Sequence, residues 1–90
     1  MEKLMEKLQR VLKKNFQGAS VELEKSGSNK IAGFLVWSRF KGMEQIKRQN
    51  RLWKVLEKEL TQEELLRVST ILTVTSEEKP VSERNPRLAV

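Results

Sequence analysis

Four basic side chains in the second half of the chain are spaced to meet a run of phosphates. They are Lys47, Arg51, Lys54 and Lys58. On an α-helix these positions fall within about one-sixth of the circumference, and nucleic-acid phosphates would neutralise such a row of like charges. Arg48, the neighbour of Lys47, is a fifth candidate contact. The same spacing is also typical of a solvated lysine-rich helix face, so the row alone leaves both interpretations open.

The overall charge agrees with an anionic partner without choosing one. Eighteen Lys and Arg stand against twelve Glu, which gives a net charge of +6. The excess lies in residues 1–18, with five bases and two acids, and in residues 39–60, with seven bases and three acids. Nucleic acid, an acidic protein surface and an anionic lipid surface would all be attracted to these two segments.

The residue types that are missing exclude most catalytic chemistry. The 90 residues include no Cys, His, Tyr or Asp, which excludes disulfides, zinc fingers, thiolate-bound iron–sulfur centres and Ser-His or Cys-His catalysis. The adjacent pairs Glu63-Glu64 and Glu77-Glu78 are unsuited to acid–base work, because glycosidase-type chemistry needs carboxyls that face across a cleft. We therefore predict no enzyme activity and no cofactor.

The hydrophobic pattern predicts a small α+β domain. Helical and strand periodicities alternate in the order α-β-β-α-α-β. The predicted elements are a helix over 1–17, strands over 20–25 and 31–38, helices over 43–60 and 61–67, and a strand over 70–75. We expect a single domain over residues 1–78, with helices on one face of a three-stranded sheet and the second and third strands parallel if they are neighbours. Residues 79–90, with two prolines and no periodicity, are predicted to be a disordered tail.

The apolar and aromatic residues are assigned mainly to the core. The buried face of the long helix is predicted to carry Ile46, Trp53, Leu56 and Leu60, with Leu52 at its margin. Trp37 and Trp53 could stack on bases, but their positions within apolar patterns favour the core. The longest apolar run has seven residues, from Ile31 to Trp37, whereas a membrane span needs about 20. No secretory leader is evident, so we expect a cytoplasmic protein without a membrane span.

A short motif points to a known family. The segment F-K-G-M-E-Q-I-K-R-Q-N-R-L-W, from Phe40 to Trp53, resembles the signature of the BolA family, in which Phe-x-Gly precedes the long helix and an Arg-Gln-like group follows in its middle. Here that group is Arg48-Gln49, close to the Lys-Arg-Gln of the IbaG-like branch. Residues 71–78 resemble the last strand of the family, with Ser76 in place of a proline.

The resemblance implies a fold, a role and a partner. BolA proteins have a fold related to the type II KH domain and are regulators, often linked to iron homeostasis, stress or cell shape. They commonly bind monothiol glutaredoxins, and some share an iron–sulfur cluster with them. The positions that match the family's cluster ligands are Arg67 and the hairpin loop 26–29. Neither holds His or Cys, and a guanidinium has no lone pair to give.

Three functions remain open on the sequence. The first is a BolA-like regulator that binds DNA or RNA through the basic face of its long helix. Because no Gly-x-x-Gly loop exists to clamp a single strand, the contact would have to come from that face. The alternative is a protein–protein adaptor, for example of a monothiol glutaredoxin, that uses Arg67 and the last strand without ligating a cluster. A third is a partner for an acidic protein.

The missing ligands give a first testable prediction. After anaerobic reconstitution with iron and sulfide, the isolated protein should show no visible absorbance from a cluster, because it has no thiolate or imidazole to offer. It should also fail to raise cluster occupancy when mixed with a monothiol glutaredoxin. A stable new chromophore that depends on this protein would contradict the expectation.

Overall fold

The computed structural model of the protein describes residues 2–78. The elements are α1 (Glu2–Asn15), β1 (Ser20–Lys25), β2 (Ile31–Val36), a 3₁₀ turn (Ser38–Phe40), α2 (Gln45–Glu59), α3 (Gln62–Leu66) and β3 (Val68–Val74). The predicted order α-β-β-α-α-β is confirmed, with boundaries that differ by a few residues. The proposed tail over 79–90 lies outside the described residues, and the domain limit at residue 78 stays a prediction.

The three strands form one mixed sheet in the order β1-β2-β3. β1 and β2 are an antiparallel hairpin, and β2 and β3 are parallel, as expected for neighbouring strands joined by a helical crossover. Ser26 to Lys30 form the hairpin turn, in which Gly27 and Asn29 both have positive φ. Glycine and asparagine adopt this left-handed backbone conformation more readily than most other residues.

The core lies between one face of the sheet and the helices. Residues that are opposite one another in the register, Val21, Leu35 and Thr73, are all buried, so one sheet face points inward. α1 and α2 pack against that face. The fully buried apolar side chains that they contribute are Leu8, Leu12 and Phe16 from α1 and Leu52 and Leu56 from α2. Helices therefore cover one face of the sheet, as predicted.

The buried face of α2 differs from the predicted one. Ile46 is 67% exposed, whereas the residues that point inward are Arg48, Leu52 and Leu56. The prediction was wrong at Ile46 because the buried face follows the four-residue spacing of Arg48, Leu52 and Leu56, and Ile46 lies off that face. Trp53 is half-buried at the edge of the core.

The pairing of β1 with β2 leaves no room for a side chain at Gly33. A Cβ at this position would fall on the backbone carbonyl of Glu22 on the neighbouring strand. The backbone cannot yield there without separating the hairpin, because Leu23 and Gly33 are paired in the register. Glycine is thus required by the close approach of two strands.

Replacing Gly33 with Ala should destabilise the fold. The added methyl must push β1 away from β2, and overpacking of this kind costs about 1–3 kcal/mol. Urea unfolding followed by circular dichroism measures the loss. Ser28→Ala, in the exposed turn of the same hairpin, is the control and should change the free energy of unfolding little. Equal stability of Gly33→Ala and the parent would contradict the register.

Candidate nucleic-acid interface

The four cations of the predicted row lie on one exposed face of α2, which we call the basic row. Lys47, Arg51, Lys54 and Lys58 are all solvent-exposed. Within residues 2–78 none of them has a carboxylate oxygen within 4 Å. The row points outward because Leu52 and Leu56, on another side of the same helix, are fixed in the core. The structure therefore brings these four predicted residues together and leaves their charges available.

Arg51 is the member of the basic row that lies over aromatic rings. Its guanidinium carbon lies 5.2 Å from the centroid of the Trp37 ring and 5.9 Å from that of Phe16. Arg39 lies over Trp37 as well, at 5.7 Å. Stacking on an aromatic ring orients a guanidinium while its N–H groups remain free to donate at the edge.

Trp37 serves as the support of these arginines and belongs to the core, as predicted. It is only 4% exposed, and its indole N–H donates a 2.8 Å hydrogen bond to the carbonyl of Gln17. Phe16 and Phe40 pack edge-on against it, each with ring centroids 5.1 Å away. A base cannot stack on a ring enclosed in this way.

Arg48 does not belong to the exposed surface, so its position does not support the nucleic-acid contact predicted for it. Only 4% of the residue is exposed. Its guanidinium donates to both carboxylate oxygens of Glu78, at 2.6 and 3.1 Å, and to the carbonyls of Met43 and Thr73 at 2.7 and 3.0 Å. These contacts use the donors of Arg48 within the protein, since α2 turns this side chain toward β3.

Arg48 is the centre of a polar cluster that joins α2 to β3, which we call the Arg48 clamp. Its members are Gln45, Arg48, Gln49, Thr73 and Glu78. The amide of Gln49 donates to the carbonyl of Ile71 and the hydroxyl of Thr73, at 3.0 and 2.9 Å. No buried side-chain polar atom in residues 3–78 lacks a hydrogen-bond partner, so the clamp is satisfied internally.

Glu78 is held in place by the turn that follows β3. Its carboxylate accepts from the backbone N–H of Thr75 at 3.0 Å, and its own N–H donates to the carbonyl of Thr75 at 3.0 Å. The hydrogen bonds from Arg48 and then from Thr75 stabilise the ionised form and lower the pKa of Glu78 to about 2. The same ion pair raises the pKa of Arg48. Both groups are therefore charged throughout the neutral range.

Arg67, the predicted partner-binding residue, is half-buried at the end of α3. It lines a groove of about 390 Å³ between α1 and α3. The other residues of that groove are Lys3, Leu4, Lys7, Arg10, Glu63 and Glu64. Lys7 is paired there with Glu64 at 2.9 Å, and the capping box between Thr61 and Glu64 is present as predicted. The hydrogen bond from the backbone N–H of Thr61, and then the pairing with Lys7, lower the pKa of Glu64.

The place that would hold an iron–sulfur cluster is cationic. Arg67 lies beside the hairpin turn, because its carbonyl accepts from the N–H of Ile31 at 2.8 Å. Lys30 reaches the same corner and donates to the carbonyl of Leu66 at 2.8 Å. Two protonated side chains and a Ser-Gly-Ser-Asn turn offer iron neither thiolate nor imidazole, so these residues do not fit the cluster. Within the part of the chain that the structure describes, no group of three or more His, Cys, Asp or Glu is placed to hold a metal.

The fold matches a protein of known structure. BolA1 from Arabidopsis thaliana superposes with a TM-score of 0.69 and 21% sequence identity, over 89% of this chain and 100% of that chain. The BolA-like architecture implied by the Phe40–Trp53 motif is thereby confirmed as a fold. Searches of protein-family models and of curated proteins found no match. None of the helices in residues 2–78 is both long and apolar enough to cross a membrane.

The Glu78 carboxylate predicts an acid-dependent part of the stability. Because the pKa of Glu78 falls from an ordinary 4.5 to about 2 on folding, its contribution is complete above about pH 4.5 and is lost as the pH falls toward 2. Thermal unfolding between pH 2 and 7 measures it. Glu78→Gln should lower the melting temperature by several degrees at pH 7 and flatten the decline in acid.

A matched control for this prediction is the neighbouring residue. Glu77 is exposed and forms no ion pair within residues 2–78, so Glu77→Gln should keep both the stability and the acid decline of the parent. Some loss of stability in acid should remain in the Glu78→Gln variant, and we expect it to come from Glu64, whose pKa is also lowered. Identical pH profiles for the two variants would contradict the role of Glu78 in the clamp.

Proposed function

Given the BolA-like fold, we propose that this protein is a small cytoplasmic regulator, without catalytic activity of its own, that binds nucleic acid through the basic row of α2. The observation that carries the proposal is the exposure of four cations on one helix face with no carboxylate partner among the described residues. Repulsion within such a row is relieved when phosphates replace the bound counterions. The four contacts are those of Lys47, Arg51, Lys54 and Lys58, and Arg48 is excluded.

The proposed contact reads the backbone of the nucleic acid and not its base sequence. Lysines are point charges on flexible stems, and three of the four cations are lysines. Phosphate contacts position a protein but carry no sequence information directly. We do not assign base stacking to the two tryptophans, since Trp37 is enclosed and Trp53 donates its indole N–H to Gln49 within the fold, at 3.2 Å. We therefore expect affinity that depends strongly on salt and weakly on sequence.

A second candidate function is that of a protein–protein adaptor, for example of a monothiol glutaredoxin, without cluster ligation. The groove between α1 and α3 is the feature that favours it, because Arg67 lines this groove and Leu66, the residue before it in the chain, is 72% exposed. An exposed apolar residue next to a half-buried arginine is a combination found at the centre of small protein–protein interfaces.

Salt dependence of DNA binding tests the first function. If the four cations each contact a phosphate, the slope of log K against log salt is about −3.6, at about −0.9 per contact. Binding should weaken by about a hundredfold between 50 and 200 mM salt. Lys47→Gln with Lys54→Gln should reduce the magnitude of the slope by about 1.8 and leave the fold intact, because both residues are exposed.

The control removes the same charge elsewhere. Lys3 and Lys25 are exposed and form no ion pair within residues 2–78, so Lys3→Gln with Lys25→Gln should leave the slope nearly unchanged. Equal losses from both pairs would mean attraction to net charge alone, and no binding at 50 mM salt would reject the function. In that case, capture of a glutaredoxin that persists after nuclease treatment and is lost in Arg67→Ala would identify the adaptor.

A further inference from the structure

A small cavity beside Trp37 gathers cations from three separate elements. It has a volume of about 250 Å³ and lies between the end of α1, the 3₁₀ turn and the middle of α2. Its lining residues are Lys14, Asn15, Gln17, Trp37, Arg39 and Arg51. None of the six is acidic. The positive charges of Lys14, Arg39 and Arg51 therefore face one concave site, which is much smaller than the exposed helix face that carries the basic row.

The charges of this cavity are poorly compensated. Arg39 and Arg51 form no ion pair within residues 2–78, and Lys14 is 3.9 Å from a carboxylate oxygen of Glu59 with 72% of its side chain exposed. An exposed pair at that distance is weak. Convergence of three like charges is unfavourable for the free protein, and an anion that enters the cavity relieves it.

The two guanidiniums are oriented before any ligand arrives. Both stack on the same indole, with their carbon atoms 5.7 and 5.2 Å from the centroid of Trp37. The indole is itself fixed by its hydrogen bond to the carbonyl of Gln17. Preorganised, forked N–H donors match the oxygens of a phosphoryl group and lose little conformational freedom on binding it.

We propose that this cavity binds the terminal phosphate group of a nucleic-acid strand. The inference rests on the proposed function, because Arg51 belongs both to the cavity and to the basic row, so a strand that lies along α2 can end there. A terminal phosphate monoester carries about −1.5 to −2 charges, compared with −1 for an internal diester, and three converging cations favour the higher charge. At about 250 Å³ the cavity is smaller than the roughly 300–1,000 Å³ of pockets for drug-sized ligands, and a single phosphoryl group suits it.

The test compares strands that differ only at one end. An oligonucleotide labelled in its middle is titrated with the protein, once with a 5′-phosphate and once with a 5′-hydroxyl. We expect about tenfold tighter binding of the phosphorylated strand, the effect of one partly screened charge-assisted contact. Inorganic phosphate at millimolar concentration should compete with this increment and should shift the NMR signal of the Trp37 indole N–H. Trp53→Phe identifies that signal.

Two variants separate the cavity from a general effect of charge. Arg39→Gln should abolish the tenfold increment and leave binding of the hydroxyl strand nearly unchanged. Lys41→Gln removes an exposed charge from the neighbouring position outside the cavity and should retain the increment. Loss of the increment in both variants, or equal binding of the two strands by the parent, would overturn the inference while leaving the basic row in place. No binding of either strand would overturn the proposed function and this inference together.

Discussion

The position of α2 depends on a buried charge. Arg48 takes the inward position that an apolar residue would normally fill, between the core and β3, and a buried guanidinium is tolerated only when its donors are satisfied. Glu78 supplies the counter-charge and the carbonyls of Met43 and Thr73 accept the other N–H groups. The same Glu78 carboxylate accepts from the N–H of Thr75, so the ion pair also connects α2 to the turn after β3.

The clamp also determines what α2 can do on its other side. A helix that is fixed to a strand edge by several directed hydrogen bonds cannot rotate about its axis, so the residues that face away are fixed in orientation too. Among the described residues, no carboxylate pairs with Lys47 or Lys54, and Glu78 is paired with Arg48. The Arg48–Glu78 ion pair and the basic row thus lie on different sides of α2. By fixing the orientation of the helix, the ion pair helps to keep the basic row facing outward.

The sequence predicted the fold well because most of its signals are local. The alternation in β1, the capping box at Thr61 and the three- and four-residue spacing of the basic row can each be recognised from residues that are close together in the sequence. The errors arose where the cause lies far along the chain. Arg48 is paired with Glu78, 30 positions later, and no local pattern in the sequence shows that partner. The sequence did offer one signal of burial, because Arg48 lies on the same side of the helix as Leu52 and Leu56.

The Trp37 cavity was missed for a related reason. Lys14, Arg39 and Arg51 come from three elements that meet only after the sheet has formed, and no spacing in the sequence relates them. Trp37 was correctly assigned to the core. No pattern in the sequence indicates that the same ring also supports the guanidiniums of Arg39 and Arg51 at the surface. Core residues that support surface chemistry look like ordinary core residues in a single sequence.

The clamp also affects how this sheet can meet another chain. β3 is an edge strand, and the carbonyls of Ile71 and Thr73, which would recruit a further strand, already accept from Gln45, Arg48 and Gln49. An incoming strand would have to displace all three side chains of α2. Growth of the sheet by strand addition, whether from a second copy or from an extended peptide, is therefore directed to the opposite edge at β1, where the charges of Glu24 and Lys25 disfavour unspecific pairing.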